Sequence, residues 1–363
     1  MLIINRRFTM GAKLRYGIIG TGNIAMGKHL PGYAARPDDV EIVAACDINP
    51  ERLASAAAKF NIPVVTNNYK ELLARQDIDF VSICLPNYLH APVAIEALRA
   101  GKHVHSEKPM AINAAKAQEM IDARNETGKQ LMIGLNNRFR PDSQYMKQYI
   151  DAGNLGEIYL VKCGCTRRLG LPANEWFQIK EFSGGGVLID LGVHFIDIVM
   201  YCMNYPKPIS ISAHQYNKFG GGPLAELYAF ENGGKPEWRY DVEDLIIGNI
   251  ELEGDIHVSY ELSWASNIPE GETYWEFYGT KGNFRFNNGD VTISTVINNQ
   301  FADIKPIIRP HMYTETEFGH FINSIRTGKA PTIANPEQGV KSMQIIDTIY
   351  RAANEKKQIM FEG

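Results

Sequence analysis

The sequence is short of cysteine, of long apolar runs and of surplus charge, and each shortage excludes a class of protein. Its five cysteines, Cys46, Cys84, Cys163, Cys165 and Cys202, are an odd number set within apolar stretches. That is no disulfide framework, and they read as reduced packing residues of a cytoplasmic protein. Cys163 and Cys165 flank one glycine in a predicted strand and so share a face, but no further ligands stand nearby and no metal site is expected. No run approaches the roughly 18 apolar residues of a membrane span. The start lacks the apolar core and small-residue cleavage site of a secretory signal. A formal net charge of −4 over 363 residues gives no electrostatic reason to expect nucleic acid or an anionic membrane as partner. No internal repeat or low-complexity tract is present.

What is present divides into two patterns. Up to residue 136, short apolar runs alternate with amphipathic stretches, the signature of a parallel sheet wrapped by helices. The strands are expected at 15–20, 40–46, 63–66, 80–85, 103–106 and 130–134, and the helices at 23–35, 50–60, 90–100 and 113–127. Residues 1–12 precede the pattern and are expected to be extended or disordered. From 137 to 363 the reading is a second, α+β domain with a large open, mainly antiparallel sheet. Its strands alternate polar and apolar at 156–167, 208–217, 243–252, 256–265, 273–279, 283–287 and 290–297. One long helical pattern, 187–203, interrupts them, and helices near 314–327 and 336–356 close the chain.

The first strand runs into Gly20-Thr-Gly22-Asn23-Ile24-Ala25 and then a helix. The first glycine allows a tight turn, the second lets the backbone approach a pyrophosphate, and a small third residue lets helix and sheet pack closely. Free N–H groups and the positive end of the helix dipole then face the phosphates. A bare tight turn is the plainer explanation of such a motif, but its place at the head of a six-strand pattern favours a dinucleotide. Asp47 ends the second strand, where a carboxylate binds the adenine-ribose 2′-OH and repels a 2′-phosphate, so NAD is favoured over NADP. Its competing role is to cap the helix that starts at Pro50. After the fourth strand come Pro86 and Asn87, with His90 one turn on; Asn87 is equally suited to hydrogen-bond the cofactor or to cap the next helix.

Two further segments carry chemistry. Glu107-Lys108-Pro109 closes the fifth strand at the carboxyl edge of the sheet, where ligands of open α/β sheets sit. Asp190 and His194 lie four residues apart on one face of the helix that follows Gly184-Gly-Gly186. Asp197 and Tyr201 continue that stripe, which a purely solvent-facing helix would also show. Gly192 weakens a helix interior by about 1 kcal/mol and so points to a close approach there.

With these motifs in place, the chain resembles the glucose–fructose oxidoreductase, inositol dehydrogenase and rhizopine-catabolism family of NAD(P)-dependent oxidoreductases. The likeness runs from about residue 14 to the C-terminus through Gly20-x-Gly22-x-x-Ala25, Pro86-Asn87-x-x-His90, Ala100-Gly-Lys-His103, Glu107-Lys108-Pro109 and Asp190-x-x-x-His194. It implies that Lys108, Asp190 and His194 are catalytic and that the outer face of the second sheet forms a homodimer or homotetramer. It also implies hydride exchange between the nicotinamide and a secondary hydroxyl or ketone of a sugar, inositol or related polyol. His194 would take the hydroxyl proton, Lys108 would stabilise the reacting oxygen, and Asp190 would hold a neighbouring hydroxyl or orient the lysine.

The cofactor contacts expected are Gly20, Gly22, Asn23, Ile24, Asp47, Pro86, Asn87, His90, Glu107 and Lys108, with Glu107 a structural or ribose-side contact. Asp197 is expected behind His194. Arg138, Arg168 and Trp176 are expected to line the substrate cleft, and the Lys108–Pro109 bond is expected to be cis. Two other functions fit the same sequence: a glycoside hydrolase of this fold that oxidises its substrate transiently on a retained NAD, and a non-enzymatic dinucleotide sensor.

Overall fold

The computed structural model describes residues 12–172, 174–220 and 239–362. The first sheet has six strands: β1 (Leu14–Ile19), β2 (Val40–Cys46), β3 (Val64–Thr66), β4 (Phe80–Ile83), β5 (His103–Ser106) and β6 (Leu131–Ile133). Their order is β3-β2-β1-β4-β5-β6, and every pair is parallel. The strands at the centre are apolar on both faces because helices cover both; all four residues of β4 are buried. The order reverses between β1 and β4, so the crevice above that pair is the topological switch point at which such sheets bind ligands.

The helices follow the sequence closely. A π-helical turn, Ala25–His29, leads into α1 (Leu30–Ala34). Asn49 caps α2 (Pro50–Phe60), and a short α3 (Tyr69–Ala74), which the sequence pattern did not announce, is capped by Asn68. Helix α4 spans Asn87–Arg99 and α5 Ala114–Thr127, the latter stopped by Gly128 in the left-handed conformation. Helix α6 (Pro141–Asp151) then carries the chain to the second sheet.

That sheet has nine strands rather than the seven expected: β7 (Ile158–Thr166), β8 (Pro208–Tyr216), β9 (Leu245–Leu252), β10 (Ile256–Ser263), β11 (Glu272–Gly279), β12 (Gly282–Asn287), β13 (Asp290–Ile297), β14 (Gln300–Ile304) and β15 (Ile359–Met360). The order is β14-β13-β12-β11-β7-β10-β9-β8-β15, antiparallel except where β7 meets β10. Both unforeseen strands are edges: β14 leaves Phe301 almost wholly exposed, and β15 is two residues long. All five cysteines are free and buried. Cys163 and Cys165 share the inner face of β7, and Gly164 between them leaves room for the Tyr274 ring.

Against the inner face lies the helical run 180–202, made of α7 (Lys180–Ser183), a π turn (Leu188–Gly192) and α8 (Val193–Cys202). This run is long and apolar enough to cross a bilayer, contrary to the expectation from sequence, yet 78% of its most apolar stretch is buried within the fold. Phe195 stacks on Trp275 of β11, with ring centroids 4.5 Å apart. Gly192 is explained by Leu262 of β10, whose side chain occupies the space that a Cβ would need.

The last two helices cross back. Phe318 of α9 (Glu317–Thr327) packs on Tyr33 of the first domain, where Gly32 makes room for its ring. Helix α10 (Pro336–Glu355) touches α5, α8 and β8.

Candidate active site

The phosphate loop is built as its sequence requires. Gly20 has φ +89°, and a Cβ there would overlap the Cys84 carbonyl at the end of β4. At Gly22 a Cβ would meet open space, and the exposed Asn23 and Ile24 open the helix beside it. The first N–H groups of a helix have no partners within it, so this is a cradle with room for a pyrophosphate. Pro86 precedes the first residue of α4 at the end of β4, on the neighbouring side of the same crevice.

Asp47 does not cap α2; Asn49 does, accepting from the N–H groups of Glu51 and Arg52. Instead Asp47 Oδ2 accepts from the N–H of Thr21 (2.7 Å) and its hydroxyl (2.9 Å), and Oδ1 accepts from the N–H of Asn49. The carboxylate therefore shapes the loop between Gly20 and Gly22. A carboxylate offers about four acceptor sites, so it keeps capacity for a ribose hydroxyl while placing negative charge where a 2′-phosphate would go. These residues fit NAD. When bound, that cofactor supplies the carbon that accepts hydride.

Lys108 follows β5, and its bond to Pro109 is cis. Its ammonium donates to Asp190 Oδ1 (3.0 Å) and to the Asp190 carbonyl (2.9 Å), across the gap between the two sheets. Asp190 Oδ2 accepts from Nε1 of Trp264, which is fully buried. Burial alone would raise the Asp190 pKa, but Lys108 and Trp264 hold it below the usual carboxylate range. His194 lies one turn beyond. It makes no hydrogen bond among the described residues, and its Nδ1 is buried without a partner. Burial and the Lys108 ammonium push its pKa down to about 3, so the ring is neutral and carries a free lone pair. The segments that bear Lys108 and Asp190 are thus brought together, with the unpartnered His194 ring one turn beyond.

Several expected contacts lie elsewhere. Arg138 does not line the cleft: it is fully buried, bidentate on Asp197 (2.6 and 2.8 Å), and bonded to the Ile333 carbonyl, Gln338 and the Tyr205 hydroxyl. Asp197 is consequently Arg138's partner and not a support for His194. Both His90 nitrogens face backbone carbonyls, Nδ1 at 2.7 Å from Pro109 and Nε2 at 2.8 Å from Leu85, so it braces the turn after Lys108 and has no nitrogen left for a cofactor. Asn87 is buried and donates to the Ser183 carbonyl of α7, a bond across the two domains.

Glu107 is held by the fold. Its Oε1 accepts from Lys28 (2.9 Å) and lies 3.0 Å from His29 Nε2, and its Oε2 accepts from the N–H of Lys108. Despite burial, Lys28 and His29 hold its pKa well below the usual carboxylate range. His105 sits between the Tyr33 hydroxyl and Glu317, and His103 Nδ1 accepts from the N–H of Gln130. Trp176 is half-buried and stacked on Phe177 at 3.8 Å, and Arg168 is exposed just beyond β7. Trp264, Lys28 and Thr21 escaped the sequence reading. Trp264 and Lys28 belong to no spacing pattern and Thr21 fills the open position of Gly20-x-Gly22, so each becomes visible only when distant segments meet.

Residues 14–135 match the oxidoreductase family described by its NAD-binding Rossmann fold, and residues 147–361 match that family's C-terminal alpha/beta domain. D-Glucoside 3-dehydrogenase of Escherichia coli K12 is 33% identical over 352 residues, covering 94% of this chain and 95% of that protein. Levoglucosan dehydrogenase of Pseudarthrobacter phenanthrenivorans is 29% identical over 289 residues, 76% of this chain and 73% of that protein. In three dimensions, a levoglucosan dehydrogenase in complex with NADH and levoglucosan superposes with a TM-score of 0.83 over 97% of this chain and all of that one, at 24% identity.

Proposed function

Because the chain belongs to this family of NAD-binding oxidoreductases, we propose that it oxidises one secondary hydroxyl of a pyranoside or related polyol, with a D-glucoside as the first substrate to try. That it is an NAD-dependent oxidoreductase acting on sugar hydroxyls follows from the family; the choice of sugar and the residue roles are the proposal. The observation that carries the roles is the Lys108 ammonium held on Asp190, with the unpartnered His194 imidazole one turn away.

The residues divide the work as follows. Lys108 has three N–H donors. Two are spent on Asp190, and the third faces the oxygen of the hydroxyl to be oxidised, where it stabilises developing alkoxide charge. His194 takes the hydroxyl proton on its neutral ring. Asp190, itself fixed by Trp264, orients the lysine and so keeps the cation pointed at one oxygen. Trp176 and Arg168 flank the sugar, and Asp47 selects NAD. The outer face of the second sheet carries half-buried Leu160, Ile247, Tyr274 and Tyr278, which suits a contact between copies of the chain.

The test is a panel of methyl glucosides, levoglucosan, inositol and free aldoses, followed by nicotinamide absorbance with NAD and NADP compared and Lys108→Ala as control. Turnover of a glycoside with NAD, abolished in Lys108→Ala, is the expected result. Cleavage of an aryl glycoside with no net reduction of NAD would replace this reading by the hydrolase, and NADH binding without turnover of any sugar would replace it by the sensor. Light scattering on the purified protein reports whether it is a dimer, a tetramer or neither.

A further inference from the structure

The active site joins two segments that belong to different sheets, so something must fix their register. The segment after Lys108 runs through Met110 and Ile112 to Ala114, the start of α5. The segment before Asp190 is Gly184-Gly-Gly186. They touch: Gly184, at φ +86°, lies so close to the Ile112 backbone that a Cβ there would press on it. Helix α10 runs past both. Gly339 leaves space for the Met110 sulfur, and Asp347 Oδ2 accepts from the N–H of Ala114 at 2.8 Å. One turn on, the Tyr350 hydroxyl donates to Glu243 Oε1 at 2.9 Å. Positions 339, 347 and 350 share one face at helical spacing.

Glu243 is buried at the head of the helix that carries Asp190 and His194. Its Oε2 accepts from the N–H of Gly186 (2.9 Å), its Oε1 from that of Leu188 (3.0 Å), and its own carbonyl from Val187. It satisfies N–H groups that a helix start leaves open, and the negative charge suits that end of the dipole. The glycines are shaped to this pair. A Cβ at Gly185 would overlap the Tyr350 hydroxyl, and one at Gly186 would overlap the Glu243 carbonyl.

We propose that α10 is the splint that keeps Lys108 in register with Asp190 and His194, with Tyr350 and Glu243 as its positioning residues. Neither touches substrate or cofactor; they act through the placement of the helix that bears the base. The inference rests on the roles assigned above to Lys108, Asp190 and His194, and its test separates the two.

Four proteins are compared: the natural enzyme, Tyr350→Phe, His194→Ala and the double variant, each with NAD and methyl glucoside. Misplacement of a reacting group by a fraction of an ångström costs rate steeply, so Tyr350→Phe should lower kcat about tenfold in the natural enzyme and less than about twofold when His194 is absent. The loss of Tm should be equal in both backgrounds, and NADH affinity, read by fluorescence titration, should stay within about twofold of the natural value. Hydrogen exchange at the Gly186 and Leu188 amides should quicken in Tyr350→Phe, whatever the sugar turned over. Equal kcat losses in both backgrounds, or no loss in the natural one, would overturn the splint as a positioning device, as would unchanged exchange. Full activity in His194→Ala would instead overturn the role given to His194, and the exchange measurement would then decide the splint alone.

Discussion

Glu107 and Lys108 are joined by one peptide bond and belong to ionic clusters of opposite kinds. Glu107 sits in a closed one: Lys28 bridges Glu107 and Glu317, His29 lies between Glu107 and Ser82, and His105 between Glu317 and Tyr33. If each histidine carries its proton on Nε2, each ring donates to a carboxylate and accepts from a hydroxyl, so neither ring has an unpartnered nitrogen. Lys108 sits in an open cluster. Each Asp190 oxygen accepts a hydrogen bond, but His194 beside it has no partner among the described residues. A buried polar group left unsatisfied is costly; Tyr16 of β1 and Ser324 of α9 carry that cost within the packing, whereas His194 carries it beside Lys108 and Asp190, where a ligand would complete it. Hydrogen-bond satisfaction, rather than burial, is what separates the His29 and His105 rings from His194.

The comparison breaks most sharply at His194. His194→Ala should lower kcat about 10²–10⁴-fold while NADH affinity barely changes, because the ring makes no hydrogen bond in the resting protein and its removal costs the fold only packing. A variant that kept full turnover would remove His194 from the mechanism. The pH behaviour is a companion reading: with its pKa held near 3 by burial and Lys108, the imidazole should remain neutral on nuclear magnetic resonance titration through the ordinary His range near 6.5.

Lys28→Met should do the reverse. Removing one partner from a buried ionic cluster costs about 3–5 kcal/mol, read as a fall in unfolding free energy. The sign with pH is fixed by the two carboxylates. In the natural protein Glu317 is held to about 2 and Glu107 is also depressed, so they stabilise the fold above the ordinary Glu range and lose that contribution as pH falls through the folded values. Without Lys28 the buried carboxylates prefer to be protonated, so the variant's deficit should shrink as pH is lowered from about 8 to about 5. A deficit independent of pH would mean that Lys28 contributes packing and not charge.

Much of this was legible in the chain. The alternation of short apolar runs with amphipathic ones shows the six strands of the parallel sheet, and the four-residue spacing of Asp190 and His194 shows that they share one face of a helix. The failures share a cause. Arg138 and His90 look like ligand contacts because each is a polar residue next to a motif, Asn87 reads equally as cofactor contact or cap and Glu107 as structural or ribose-side, and sequence does not show which polar groups find partners inside the fold. Arg138 is satisfied by Asp197, a residue 59 positions away; Glu107 is satisfied by Lys28, 79 positions away. Helix α3 and β15 are too short for periodicity to register, and β14 buries no residue, so it carries no apolar alternation to read.

The phosphate loop lies between the two kinds of cluster, since Asp47 is both structural and selective. Asp47→Asn keeps an acceptor for Thr21 but removes the charge. A hydrogen bond to a charged group is worth about 1.5–3 kcal/mol, so NAD should bind about tenfold or more weakly. Discrimination against NADP should narrow by more than NAD affinity falls, because repulsion of the 2′-phosphate goes as well. If both dinucleotides weakened equally, Asp47 would be a loop brace alone.

The smallest expected effect sharpens the comparison within one residue type. Arg138 is saturated by Asp197, Gln338, Tyr205 and a backbone carbonyl, whereas Arg168 is exposed and its guanidinium has no partner among the described residues. A guanidinium with five free donors at the end of β7 can gain a sugar hydroxyl without losing anything in the empty protein. One neutral acceptor adds about 0.5–1.5 kcal/mol net, so Arg168→Ala should raise the KM for methyl glucoside about two- to tenfold with kcat and Tm unchanged. The same substitution at Arg138 would leave Asp197 charged and unpaired in the core, and Tm should fall steeply before any change in KM can be read. Were Arg168→Ala to leave KM untouched, an open valence at this rim would be ordinary solvent exposure, and the rule drawn from His194 would hold only for groups that are buried as well as unpartnered.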